Sequence, residues 1–117
     1  VNGISVRLLH NRAMEHAQDL QILLRRKGTP AAIRRIATRA FWLERCAAQN
    51  IPLSANVEPT RSILYRSAAC LAIVAERYED AIECANAGLA GVIHGDIRAE
   101  LEEALEEALK QKGEVSP

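Results

Sequence analysis

Residues 65–82 read Tyr65-Arg66-Ser67-Ala68-Ala69-Cys70-Leu71-Ala72-Ile73-Val74-Ala75-Glu76-Arg77-Tyr78-Glu79-Asp80-Ala81-Ile82, and the run continues through Ala85-Asn86-Ala87-Gly88-Leu89. Small residues stand at Ala69, Ala81 and Gly88, twelve and then seven positions apart. Two helices that cross with their backbones close together need small side chains at the crossing points. Glu76-Arg77, between the two runs, is read as the tight turn. This stretch therefore predicts a helical hairpin packed through small residues, and it sets the fold class as all-α.

Working outward, the same helical period recurs on both sides. A first helix is expected over about residues 8–27, with Ala13, Ala17, Leu20 and Leu24 as its apolar stripe. Arg25-Arg26-Lys27 suits the negative end of a helix, and Gly28 is read as its stop. Thr29 then caps a second helix with Pro30 at its first position, running to about Gln49. Its stripe is Ile33, Ile36, Ala37, Ala40, Leu43 and Ala47. Residues 50–58 form the one long loop, broken by Pro52. Pro59 opens a third helix reaching about Ala75, and Tyr78 begins a fourth. Gly91 and Gly95 bracket a short loop, and Asp96 caps a fifth helix. That last helix carries Ile97, Leu101, Ala104, Leu105, Ala108 and Leu109 on one side and Glu102, Glu103, Glu106 and Glu107 on the other. The expectation is a single domain over residues 1–117, built of about five helices with an acidic C-terminal capping helix.

The turn and the small positions resemble one tetratricopeptide repeat, a helix-turn-helix unit of about 34 residues found in many adaptor proteins. The family's three small positions map onto Ala69, Ala81 and Gly88. Its tyrosine at the start of the second helix maps onto Tyr78, followed by an acidic pair and Ala81-Ile82. Ala68, Ala72 and Ala85 stand where the family prefers larger side chains, and Ile93 stands where it has a closing proline. Residues 62–91 hold the best match, so the chain resembles a divergent tetratricopeptide-like protein with stacked helical hairpins in an α-α superhelix. The run from Glu58 through Ala69, with Gly88-Leu89-Ala90-Gly91, also resembles small bacterial proteins of this kind. The resemblance implies a groove lined by the first helix of the repeat, where Ile63, Arg66, Cys70, Ile73 and Val74 would face a bound peptide. The other reading of that face is core, covered by the first or second helix.

Composition narrows the function classes. Twenty alanines against one Phe, one Trp and two Tyr make a core of small side chains. No apolar run approaches the roughly 20 residues that span a bilayer, and no secretory signal is visible, so a cytoplasmic protein is expected. Cys46, Cys70 and Cys84 have no metal-like spacing and are expected as buried, reduced thiols. His10, His16 and His94 share no ligand pattern, and no metal or cofactor is expected. There is no Gly-rich phosphate loop, nucleophile elbow or His-Glu-x-x-His run, which argues against an enzyme.

The charges cancel in total but not along the chain. Residues 1–66 carry a net +7 and residues 67–117 a net −7. The halves attract each other within one fold, join two copies as a homodimer, or leave a basic half for an acidic partner. On the second helix, Trp42 falls opposite the apolar stripe and shares its side with Arg35, Arg39 and Arg45. Trp and Arg together are typical of binding hot spots, and they also suit stacking on a base. A structural reading puts arginine stems across a packed Trp42. The expectation is a non-enzymatic interaction module for a protein or peptide partner. Nucleic acid is the alternative, and the acidic second half argues against it.

Overall fold

A computed structural model describes residues 3–53, 55–91 and 94–115. Those residues form an all-α protein of five helices: α1 (Gly3–Arg25), α2 (Pro30–Gln49), α3 (Thr60–Val74), α4 (Tyr78–Leu89) and α5 (Gly95–Val115). A short 3-10 turn, Ala55–Val57, lies inside the loop before α3, where a plain loop was expected. Each helix packs on the next in sequence, and α5 also reaches α3. The molecule is 22 Å across its thinnest direction, which is about two helix diameters. No described helix is long and apolar enough to cross a membrane.

Local chemistry sets several helix ends, with corrections. Helix α1 begins at Gly3 rather than near residue 8, Asp96 lies in the first turn of α5 rather than capping it, and α1 closes differently from the expectation. Thr29 Oγ1 accepts from Ala32 N at 3.1 Å, and Pro30 sits at the first turn where no donor is lost. The C-terminus of α1 is not closed by Gly28 in a left-handed conformation. Lys27 takes that conformation, with φ 54°, while Gly28 N donates to Leu23 O at 2.9 Å and Lys27 N to Leu24 O at 3.1 Å. These are the two bonds of a Schellman cap. A Cβ on Gly28 would meet the tip of the Leu23 side chain, which would have to shift. The same cap closes α3: Glu76 has φ 60°, Arg77 N bonds Ala72 O at 2.8 Å, and Glu76 N bonds Ile73 O at 3.0 Å. The turn read at Glu76-Arg77 is therefore built by a left-handed Glu76.

The core is made mostly of alanine. Ala37, Ala40, Ala47, Ala68, Ala69, Ala72, Ala81 and Ala85 are fully buried around Phe41, itself wholly enclosed. The three small positions work as crossing points. Ala69 and Ala81 are fully buried, and a Cβ on Gly88 would lie 2.8 Å from Leu101 of α5 and 3.2 Å from Tyr65 of α3. Some stripe residues fall outside this core. Leu24 and Leu109 are exposed. The expectation for the cysteines is corrected as well: Cys84 is buried, but Cys46 and Cys70 lie on the surface. Cys46 is two residues from the buried Glu44 and so points about 200° away around α2, and Cys70 lines an open cleft between α3 and α5.

Three ion pairs join the basic and acidic halves: Arg34–Glu76 at 3.1 Å, Arg45–Asp80 at 3.4 Å and Arg66–Glu100 at 2.9 Å. They lie at or near the surface, where each is worth only about 0–1 kcal/mol. Their effect is to spend part of the charge split inside one fold.

Candidate functional site

Glu44 is the least expected residue of α2. It stands on the apolar stripe between Ala40 and Ala47, and it is fully buried. The Nδ1 edge of His10, on α1, faces both carboxylate oxygens at 2.8 and 3.1 Å. Burial holds the Glu44 carboxyl above the ordinary glutamate range, while hydrogen bonds and charge from His10, and a hydrogen bond from Ser67, pull it back. The pair thus ties α1, α2 and α3 at one polar point. His10 and Glu44 are 34 positions apart, so no local spacing exposes the pair. The legible signal is a glutamate on an otherwise apolar stripe.

Above this pair lies a cavity of about 600 Å³ between the N-terminal half of α1, the loop before α3, and the start of α3. Val6, Ile51, Val57, Ile63 and Leu64 supply its apolar wall, and Arg7, His10 and Thr60 its polar positions.

A second polar point sits where α3 begins. Glu58 Oε1 accepts from Ser62 N at 2.9 Å and from Ser62 Oγ at 2.8 Å, and Ser62 Oγ also reaches Gly88 O at 3.3 Å. Arg61 lies 3.6 Å from Glu58 Oε2 and stacks over Tyr65 at 4.8 Å. A Cβ on Gly91 would strike the Glu58 carboxylate, so the glycine allows the α4 end to close over it. This cluster fastens the start of α3 to the end of α4.

Of the four residues expected to form a face on α2, Arg35, Arg39 and Trp42 are exposed and Arg45 is half-buried. Trp42 is 43% exposed. The Arg45 guanidinium lies 4.2 Å from its ring centroid and that of Arg77 4.9 Å. Both guanidiniums bond Asp80, at 3.4 and 2.8 Å. Phe41 supports the indole from inside, with ring centroids 5.2 Å apart. Arg35 and Arg39 are exposed and make no ion pair among the described residues. The brace from Arg77 and Asp80 was beyond sequence reasoning, because it depends on where α4 docks.

The residues expected to line a single groove on α3 are divided between two clefts. Ile63 faces the cavity beside α1, whereas Cys70 and Ile73 line a cleft of about 350 Å³ with Glu100, Glu103 and Glu107 of α5. Arg66 is held by Glu100. Helix α5 thus flanks Cys70 and Ile73, while α1 flanks Ile63 across the cavity. Burial raises the Cys70 thiol pKa, Arg66 lowers it, and Glu100 and Glu103 raise it further, so the thiolate is disfavoured. Cys84, enclosed in the core, is pushed up to about 12 by burial. Among the described residues no cluster of His, Cys, Asp and Glu is placed to hold a metal ion.

No protein-family model matches the chain, and no match emerges among curated proteins or solved structures.

Proposed function

We propose that the chain is a non-catalytic protein-interaction module, a divergent tetratricopeptide-like stack of helical hairpins that docks an acidic protein partner on the exposed face of α2. The observation that carries this reading is Trp42, 43% exposed yet braced by the guanidiniums of Arg45 and Arg77. An aromatic held in one orientation loses little side-chain freedom on binding. Trp and Arg are also the residue types that most often dominate interface energetics. Arg39 and Arg35 extend the face by about one and two turns with unneutralised charge, which selects an acidic partner. The Glu76 turn, the crossings at Ala69, Ala81 and Gly88, and the approach of α5 to α3 support the repeat-like arrangement.

The test is selection of peptides from a random display library on the folded protein, followed by affinity measurement on wild type, Trp42→Ala and Arg39→Glu. Acidic peptides carrying an apolar anchor should emerge, and Trp42→Ala should weaken them by about tenfold or more. Peptides that bind Trp42→Ala as well as wild type would sink the proposal. So would an empty selection alongside tight, salt-sensitive binding of a single-stranded oligonucleotide, which would move the face to nucleic acid.

A further inference from the structure

On α2, Glu44 is two residues beyond Trp42 and so points about 200° away around the helix, toward α1 and α3. The cavity at that side has features of a small-molecule site that the Trp42 face lacks. Its volume of about 600 Å³ falls within the range of small-ligand pockets. Its apolar wall is entirely aliphatic, from Val6, Ile51, Val57, Ile63 and Leu64. The charged residue on its wall, Arg7, makes no ion pair among the described residues. His10 completes that edge, and its orientation is set from behind by the buried Glu44 carboxylate.

We propose that this cavity binds a small alkyl monocarboxylic acid, with the chain among the aliphatic side chains and the carboxyl group against Arg7 and Nε2 of His10. Glu44 occupies Nδ1, so Nε2 is the ring nitrogen left for a ligand. A carboxyl group pairs with it in either protonation state: a neutral ring accepts from the acid O–H, and a protonated ring donates to the carboxylate. Arg7 adds a charge-assisted bond to the same group. The aliphatic wall disfavours a peptide in this position, because buried amides would surrender hydrogen bonds to water without replacement. An alkyl chain gives up none. The site is separate from the proposed docking face on α2, and either can stand without the other.

Decanoate, kept below its micelle-forming concentration, is the probe, followed by amide resonances of the labelled protein. Saturable shifts at Val6, Ile51 and Ile63 are expected. Arg7→Gln, on an exposed residue, should weaken decanoate by about tenfold and leave decanol, which lacks the carboxylate, unchanged. Ile63→Trp, which fills the cavity, should abolish binding of both while the circular dichroism spectrum is retained. The proposal is overturned if decanoate gives no saturable shifts, or if Arg7→Gln and Ile63→Trp bind it as wild type does. Equal affinity for decanol and decanoate in wild type would overturn it too, since the carboxyl would then contribute nothing.

Discussion

Helix α4 meets α3 and α5 at a crossing that depends on a glycine, whereas α1 faces α3 across a cavity and one buried carboxyl group. At the first junction Gly88 brings the backbone of α4 against Leu101 and Tyr65. At the second, the space between α1 and α3 is about 600 Å³ of open cavity above His10 and Glu44. The difference teaches how an alanine-rich chain divides its labour. Small residues allow close crossings, as at Gly88, where a Cβ would lie 2.8 Å from Leu101. Larger aliphatic residues such as Ile63 and Leu64 hold helices apart, and a cavity results.

This contrast can be broken most forcefully at Gly88. Gly88→Leu places a branched side chain where even a Cβ is too close, and overpacking of this kind should cost about 3 kcal/mol in urea unfolding. An unchanged unfolding midpoint would mean that the α4 crossing is not tight, and the comparison would collapse. A smaller effect of opposite sign is expected at the α1–α2 connection. Lys27 sits at φ 54°, a conformation that glycine adopts freely, so Lys27→Gly should stabilise the protein by about 0.5–1 kcal/mol. A loss of stability there would show that the Schellman cap is not the strained point.

The third prediction concerns the slope of stability with pH and sharpens the α1 side. Burial keeps the Glu44 carboxyl protonated to higher pH in the folded state than in the unfolded chain. The folded state therefore holds the extra proton, and this contribution is full below the ordinary glutamate value of 4.5. It is lost as pH rises through the elevated folded value. Glu44→Gln stays neutral throughout, so its unfolding free energy should fall less steeply than wild type as pH rises above 4.5. Parallel curves for the two proteins would show that Glu44 does not titrate differently in the folded chain.

Much of the local structure was legible in the chain. Thr29-Pro30, Glu76-Arg77 and Tyr78 mark helix ends by the chemistry of caps and turns, which acts within a few residues. The all-α class follows from the period of apolar residues and the scarcity of β-branched and aromatic ones. Trp42 opposite the stripe was readable from helical geometry. Gly28 does mark the end of α1, donating to Leu23 O, but the left-handed residue of the cap is Lys27, which no local signal gave away.

Sequence by itself therefore determined the helices, their approximate ends, the alanine core and the face that carries Trp42, since each depends on neighbours three or four positions away. Tertiary structure alone decided the rest. It paired His10 with Glu44, braced Trp42 with Arg77 and Asp80 of another helix, divided the expected α3 groove between two clefts, and opened the cavity beside α1. Those outcomes depend on which helix faces meet and how far apart side-chain volume holds them, and residues distant along the chain carry no local mark of that meeting.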